Sequence, residues 1–359
     1  MSRKLVTVRQ VIEILPIVGA DKIELAKIDG WQVIVKKGDF EPGMQGFYFE
    51  IDSLLPLDNE AFAFLQRPGA TRTHHRLKTI KMKGTLSQGL LLRLSDLPKL
   101  WDYVMLTDEG EQNIAGYAGI TKYEPPLPGE PGSPSVITFP NFIPRTELER
   151  VQNLSRDVTL AIANTEPETF EVQAKYDGTS ITAYYCPDVW LPEFNSHEFG
   201  VCSRNQNLSL DVDSMYLRAA TDAGWLRALW PIAEACGGTI AIQGELVGPS
   251  IQGNRMNLPT RQAFAFDIYS CNHGRYLTRT ERDLMWGLVE FKTGVRIAEV
   301  DTMAEVWPLT APSDILVDFM GECERSVKYP LEGIVYKSRR PGGLRFKAIS
   351  NSYLLKFGE

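Results

Sequence analysis

Short apolar runs with alternating polar positions fill the first third of the chain. Four of them predict strands, at residues 5–17, 22–28, 31–36 and 45–51. Turn pairs such as Asp29-Gly30 and Pro42-Gly43 separate several of these runs. Strands this short and closely spaced are typical of a small β-barrel, and an OB-fold is our first interpretation. A barrel that serves only as a scaffold is the alternative that the pattern leaves open.

A stretch rich in proline and glycine separates this region from the rest of the chain. It contains Pro125, Pro126, Pro128, Gly129, Pro131, Gly132, Pro134 and Pro140. This composition is typical of a linker. We therefore predict an α+β chain with an OB-fold domain at residues 1–120, a linker at 121–140 and a second domain at 141–359.

Apolar runs of both strand and helix period follow the linker. Strands are predicted at residues 170–174, 179–185, 239–247, 262–269, 331–337 and 344–347. Helices are predicted at residues 212–229, 278–291 and 312–327. Two capping-box patterns, Thr146-x-x-Glu149 and Thr278-x-x-Glu281, predict the first residues of helices.

Lys175 lies between two of these predicted strands. The sequence Lys175-Tyr-Asp177-Gly178 predicts a tight turn, so that a hairpin would hold the lysine at the rim of a sheet beside a carboxylate. Near a buried wall rich in cations, the amine would lose its proton more easily and act as a covalent nucleophile. Taken alone, the pattern favours the simpler interpretation of an exposed lysine in a hairpin turn.

Three carboxylates, Glu245, Asp267 and Glu332, interrupt otherwise apolar strands. A charge at such a position costs free energy unless it is paired or bound to a metal. Each one singly is most simply the partner of a buried arginine or lysine. Together with further charged residues, they predict a pocket. Its carboxylates would hold Mg²⁺ or Mn²⁺ through water, and its cations would hold phosphates. The further residues of this pocket are Lys175, Asp177, Arg204, Arg345 and Lys347.

The net charge of −7 excludes a chain that binds polyanions over its whole surface. Residues 67–83 form a local region of positive charge, since they contain arginines and lysines but no acidic residue. Such a patch can follow a nucleic-acid backbone, although a charged run is commonly just a solvated face. Its cations are Arg67, Arg72, Arg76, Lys78, Lys81 and Lys83.

The five cysteines show no paired spacing, which indicates a reducing compartment. The N-terminus lacks a signal-peptide pattern, and no run of 18 apolar residues occurs. We therefore expect a cytoplasmic protein, or a nuclear one in a eukaryote, without a membrane partner.

The order of the charged motifs resembles that of the covalent nucleotidyltransferases, the superfamily of ATP-dependent polynucleotide ligases and mRNA capping enzymes. The motifs are Lys175-Tyr-Asp177-Gly178, Ser203-Arg204, Gly244-Glu245, Phe266-Asp267, Glu332-Gly333 and Arg345-Phe-Lys347. Residues 244–252 are similar to the same stretch of RNA ligases that seal nicked duplexes. The whole chain resembles the Deinococcus- and Naegleria-type RNA ligases, which carry an OB domain before the transferase domain. Arg345 departs from the pattern, because relatives often have lysine there.

The resemblance implies a transferase domain of antiparallel sheets with flanking helices, and a role for each motif. Lys175 would attack the α-phosphate of ATP and form a lysyl-adenylate, whose AMP passes to a 5′-phosphate before a 3′-hydroxyl closes the strand. Asp177, Asp267 and Glu332 would orient water around Mg²⁺ or Mn²⁺. Phe266 would stack on adenine, and Glu245 would bind the ribose. The residues that would contact the nucleotide or its phosphates also include Arg150, Gly178, Arg204, Arg345 and Lys347.

The motifs leave two other functions open. A DNA ligase or a capping guanylyltransferase would share them, but these enzymes typically place the OB domain last, and almost nothing follows Lys356. A non-catalytic nucleic-acid-binding protein could keep such a pocket as a nucleotide sensor. We expect an ATP-dependent RNA ligase that acts as a monomer on RNA or on an RNA-containing duplex with a nick.

Overall fold

The structure is a computed structural model and describes residues 4–66, 72–106, 113–123, 137–163, 168–187, 199–208, 210 and 213–357. Arg67 and most of the predicted linker, residues 124–136, lie outside the described residues. The chain divides into two compact units. The first comprises Met1–Pro128, Val151–Asp157 and Asn351–Glu359, and the second comprises Gly129–Arg150 and Val158–Ser350. The predicted domain boundaries at residues 120 and 140 stay a prediction.

Short strands fill the N-terminal part of the first unit. They are β1 (Val6–Gln10), β2 (Glu13–Pro16), β3 (Ile23–Ile28), β4 (Trp31–Lys36), β5 (Gln45–Phe49), β6 (Ser53–Pro56), β7 (His74–Arg76), β8 (Thr79–Met82), β9 (Thr85–Gln88), β10 (Leu90–Arg93) and β11 (Thr121–Lys122). Helices α1 (Pro98–Leu106) and α2 (Ile114–Tyr117) follow β10, and 3-10 turns lie at Glu60–Leu65 and Leu94–Asp96.

These strands pair in small antiparallel sheets with the orders β1-β5-β10, β2-β3-β4, β11-β6-β7 and β8-β9. The predicted run at residues 5–17 is two strands because the chain changes partner: the N–H of Val11 donates to Met44 O, and that of Ile12 donates to Lys27 O. Inward-facing residues of the strands and of α1 and α2 form one core around Phe47, Phe49 and Phe62.

The remaining strands and helices belong almost entirely to the second unit. The strands are β12 (Ile137–Thr138), β13 (Glu149–Arg150), β14 (Thr169–Lys175), β15 (Thr179–Tyr185), β16 (Phe199–Cys202), β17 (Gln206–Leu208), β18 (Ile240–Val247), β19 (Gln262–Ser270), β20 (Arg275–Tyr276), β21 (Thr302–Pro308), β22 (Gly333–Ser338) and β23 (Arg345–Ile349). The helices are α3 (Ser155–Ala163), α4 (Met215–Asp222), α5 (Trp225–Cys236), α6 (Arg279–Thr293), α7 (Pro312–Asp314), α8 (Met320–Ser326) and α9 (Asn351–Phe357). A π-helical turn, Ile315–Phe319, joins α7 to α8, and 3-10 turns lie at Val151–Leu154 and Gln252–Asn254.

Within its described residues, the second unit arranges its strands in two sheets. We call the sheet with the order β13-β23-β22-β14-β21 the lysine sheet, and the sheet with the order β12-β17-β16-β15-β18-β19-β20 the helix-backed sheet. The predicted hairpin at Lys175 is wrong, because β14 and β15 lie in different sheets and do not pair. Gly178 serves a close approach instead, since a Cβ there would lie 2.3 Å from Leu246 O.

The lysine sheet has one polar and one apolar face. Cross-strand register places on the polar face Glu171, Gln173, Lys175, Lys337, Arg345 and Lys347. The opposite face carries Phe170, Tyr336 and Phe346, whose rings contact one another. A sheet built this way buries its aromatic side and leaves charged side chains for chemistry on the other side.

The helix-backed sheet shows the same division. Ile181, Ile242 and Ala265 pack against α4, α5 and α6 in a large apolar core, whereas Gln243 and Glu245 point to the other face. The capping box at Thr278 begins α6 as predicted. The predicted helix at residues 212–229 is two helices, because Gly224 adopts a φ of 75° between them.

The capping box predicted at Thr146 is wrong. Glu149 begins β13, which pairs in parallel with β23, and the hydroxyl of Thr146 lies 2.9 Å from that of Ser180. The Thr-x-x-Glu pattern is local, whereas the pairing that determines the conformation here involves a strand almost 200 residues later in the chain.

Candidate active site

Lys175 ends β14 on the polar face of the lysine sheet. Its Nζ lies 2.6 Å from Glu332 Oε2, because β14 pairs with β22 and places Lys175 opposite Gly333. Glu332 directly precedes β22. The sheet therefore fixes the lysine and this carboxylate as one partly buried ion pair.

The electrostatic surroundings of Lys175 are acidic. Burial by itself lowers the pKa of Lys175, but the carboxylates of Glu332, Glu245 and Asp177 outweigh this effect, and the pKa is raised above its usual value. The expected cation-rich wall and lowered pKa are therefore wrong for the protein without ligands. The sequence order could not show which charges surround the amine.

Glu245 adds a further carboxylate to this site. Burial raises the pKa of Glu245 to about 8, and repulsion by Glu332 and Asp177 acts in the same direction against the attraction of Lys175. Crowded carboxylate oxygens are the donors that Mg²⁺ and Mn²⁺ prefer. Carboxyl groups crowded around one amine therefore fit a divalent cation, which would favour the ionised form of Glu245. Among the described residues, no three His, Cys, Asp or Glu side chains form a ready-made direct ligand set, so water would complete the coordination.

Asp177 is paired with Arg255, a residue that the sequence did not single out. The guanidinium of Arg255 contacts the carboxylate of Asp177, and both side chains are largely buried. The segment that carries Arg255 has positive φ at four non-glycine residues, namely Ser250, Gln252, Asn254 and Asn257. Such backbone conformations are uncommon outside glycine and cluster at functional sites. In the sequence, the Gly253-Asn254 pair indicates a turn with unusual backbone conformations, and it was the available signal for this segment.

Asp267 belongs to a separate buried cluster. Its carboxylate contacts Lys337 Nζ at 3.0 Å and the guanidinium of Arg345. Burial alone would raise the pKa of Asp267, but Arg345, Lys337 and Arg282 lower it below the usual value. A metal role for Asp267 beside Asp177 and Glu332 stays a prediction.

The same cluster contains charged residues that the sequence reasoning missed. Arg282 is almost completely buried, donates to Glu171 at 2.5 Å and pairs with Glu299 at 2.8 Å. Burial lowers the pKa of Lys337 to about 8, although Asp267 opposes this shift. The sequence signal for this cluster was a charged residue inside each of two apolar strands, Glu171 in β14 and Lys337 in β22.

Phe266 lies at an irregularity of the helix-backed sheet. Gln243 pairs with Asp267 and Gly244 pairs with Ala265, so Phe266 is an extra residue in β19. Its ring is partly exposed. A bulge of this kind re-aims a side chain, and stacking of the ring on a base stays a prediction.

The predicted phosphate-contacting cations lie on two strands and in one turn. Arg150 on β13 is in register with Lys347 on β23, and Arg345 shares the face of Lys347. The guanidinium of Arg345 stacks 3.9 Å above the ring of Tyr276. Arg204 lies in the turn between β16 and β17 and binds Glu147 at 2.9 Å. Their contacts with a nucleotide stay predictions.

The basic patch of the first unit is only partly available to a ligand. The exposed cations are Arg72, Lys78, Lys81 and Lys83. Arg76 binds Asp52 at 2.7 Å and stacks 3.8 Å from the ring of Tyr123, so it also supports the fold. Arg67 lies outside the described residues.

Comparison with known proteins identifies relatives of both regions. An OB-fold domain model matches residues 5–94, and the RNA ligase family model matches residues 168–349. The predicted order of an OB-fold and a ligase domain built of antiparallel sheets and helices is confirmed. No curated protein matches the chain.

In the part of the chain that the structure describes, no helix is long and apolar enough to cross a membrane.

Solved structures of Naegleria gruberi RNA ligase are similar along almost the whole chain. The complex with pyrophosphate is 33% identical, with a TM-score of 0.82 over 98% of each chain. A lysine-to-alanine mutant with ATP and Mn is 32% identical, with a TM-score of 0.82 over 98% of each chain. A glutamate-to-alanine mutant with AMP and Mn is 32% identical, with a TM-score of 0.81 over 98% of each chain.

Proposed function

This chain belongs to the RNA ligase family and is an ATP-dependent RNA ligase, and from that premise we propose that it seals 3′-hydroxyl/5′-phosphate breaks through a lysyl-AMP intermediate. Nicks in RNA-containing duplexes are the proposed substrate, and a monomer is the proposed active form. The observation that carries the proposal is Lys175, whose Nζ is held 2.6 Å from Glu332 at the end of β14 in a partly buried site. A lysine held between carboxylates on the polar face of a sheet is a suitable nucleophile for phosphorus once those charges are balanced.

ATP and a divalent metal are the cofactors, as in the related ligase structures with ATP and Mn. Asp177 and Glu332 are the proposed metal-binding carboxylates, acting largely through water, and Asp267 is a further candidate. A bound divalent cation offsets their charge, favours the neutral amine and stabilises negative charge at the α-phosphate. In the protein itself, Glu332 Oε2 orients the proton-bearing Nζ of Lys175 at 2.6 Å.

The remaining motif residues are proposed to hold the nucleotide. Phe266 offers a ring for the adenine, and Glu245 accepts hydrogen bonds from the ribose. Gly178 leaves room where the chain approaches Leu246 closely. The cations proposed for the phosphates are Arg150, Arg345 and Lys347, with Arg204 contacting first the ribose and then the RNA phosphate.

The N-terminal region, residues 1–120, is proposed to bind the nucleic acid, and residues 141–359 are proposed to carry out adenylyl transfer. Support comes from the exposed cations Arg72, Lys78, Lys81 and Lys83, which lie in a chain of net negative charge. Arg67 and Arg76 belong to the same predicted patch. Cations of this kind bind phosphates without regard to sequence.

Incubation with α-labelled ATP and Mg²⁺ or Mn²⁺, followed by a nicked-duplex sealing assay, tests the proposal. Wild-type protein is expected to acquire acid-labile AMP and to join the nick, whereas Lys175→Ala acquires none. The exposed Lys99→Ala serves as the matched control and should label normally. Undiminished labelling of Lys175→Ala would disprove the assignment of the nucleophile. Labelling by GTP rather than ATP would indicate a capping enzyme instead.

A further inference from the structure

The bulge at Phe266 interrupts the pairing of β19 with β18 at the residue that carries the ring. Residues on both sides of Phe266 pair with β18, but Phe266 itself is the extra residue. A bulged residue locally interrupts the ladder, and a buried carbonyl then needs another donor. The conformation that re-aims the ring of Phe266 therefore depends on a group outside β19.

Lys337 on β22 supplies that donor. Its Nζ donates to Phe266 O at 2.5 Å and lies 3.0 Å from Asp267 Oδ1. The same Nζ lies 5.4 Å from the centroid of the Phe266 ring. Lys337 is 5% exposed. One ammonium thus contacts the backbone, the ring and the following carboxylate of the Phe266-Asp267 motif.

We propose that Lys337 is a positioning residue that holds the bulge and thereby fixes the Phe266 ring for stacking on the adenine of ATP. The inference rests on the proposed function, because it presupposes that the ring binds the nucleotide. Lys337 need not touch ATP to act in this way. A ring already held in its bound orientation binds more tightly, because less conformational freedom is lost on association.

A purely structural role for Lys337 makes a different prediction. Its ion pair with Asp267 is buried, so its loss would destabilise the fold and would also remove a positive charge from the region. Neither effect depends on which side chain occupies position 266. A role through the Phe266 ring disappears once that ring has been replaced.

A double-mutant cycle for ATP binding separates these two cases. The full chain with Lys175→Ala is expected to bind ATP without transferring AMP, so that calorimetry with Mg²⁺ gives the Kd directly. Into this background we introduce Lys337→Met, Phe266→Leu and both together. Lys99→Met, at an exposed lysine of the first unit, is the matched control. The melting temperature of each variant is measured without nucleotide.

Each single substitution is expected to weaken ATP binding by about tenfold, and the double variant no further than either single variant. Additive effects, or an unchanged Kd in Lys337→Met, would overturn the inference while leaving the proposed function intact. Absence of ATP binding in the Lys175→Ala background itself would overturn both. Should Lys337→Met fail to fold, Lys337→Leu, which also removes the N–H donor, takes its place in the same cycle with the same criterion.

Discussion

Burial, together with the neighbouring charges, determines the protonation of Glu245. It lies beside Lys175 in a site that also contains Glu332 and Asp177, and the pKa of Glu245 is raised to about 8. The same carboxylates raise the pKa of Lys175, so at neutral pH the site without ligands holds a protonated amine. Charge balance within the cluster thus controls the protonation state of Lys175, the proposed nucleophile.

Glu245→Gln is expected to alter how stability depends on pH. A glutamate with a folded-state pKa near 8 binds more protons in the folded than in the unfolded protein between about pH 4.5 and 8. Wild-type stability should therefore fall relative to the variant as pH rises through this window, by at most ~1.4 kcal/mol per pH unit. Urea unfolding at pH 5, 6.5 and 8, without nucleotide or metal, measures this difference. Parallel curves for the two proteins would contradict the prediction, and exposed Glu322→Gln is the control.

Helix α6 connects the buried charge cluster to the apolar core. Its N-cap Thr278 accepts a hydrogen bond from the N–H of Glu281, while the Glu281 carboxylate accepts one from the N–H of Thr278 at 2.7 Å. The next residue, Arg282, carries its guanidinium to Glu171. A well-formed first turn is therefore needed to place Arg282.

Thr278→Ala should lower the free energy of unfolding by about 1 kcal/mol, because the first turn loses the hydroxyl that caps it. Thr278→Ser keeps that oxygen and should remain close to the wild type. Urea unfolding of the three proteins at neutral pH provides the comparison. Equal stability of the alanine and serine variants would show that the cap contributes nothing.

The whole molecule combines a net charge of −7 with a local run of cations at residues 67–83. Such a distribution limits non-specific contact with polyanions, and in the proposed function it would direct a nucleic acid to one surface. Lys78 and Lys81 are exposed in that run. Arg76 is bound to Asp52, so its replacement would also affect the fold.

Replacing Lys78 and Lys81 together by alanine should weaken binding of a nicked RNA duplex. The slope of log K against log salt should decrease by roughly one unit for each phosphate that the variant no longer neutralises. Fluorescence anisotropy at several salt concentrations measures the slope, and circular dichroism verifies the fold. Exposed Lys36 and Lys37, changed to alanine in the same way, are the control. An unchanged slope in Lys78→Ala/Lys81→Ala would exclude these lysines from the interface.

The local sequence pattern was sufficient to predict the position of many strands and the first residue of one helix. Apolar periodicity located β14, β15, β18, β19 and β22, and the Thr278-x-x-Glu281 pattern located the first residue of α6, because burial and capping act over a few neighbouring residues. The order of charged motifs indicated the family. The pattern could not show that β14 and β15 lie in different sheets, since strand pairing is not encoded in the turn between them.

Only the tertiary structure decided which charges meet. Lys175 and Glu332 are 157 residues apart in the chain, and Asp177 meets Arg255 over a separation of 78 residues. The direction of the pKa shift of Lys175 depends on the sum of such contacts and on burial, so the sequence indicated the opposite sign. The same holds for Lys337, whose contact with the Phe266 carbonyl requires two strands from different sheets. Electrostatic interactions depend on distance in space, and that distance is fixed only when the sheets pack.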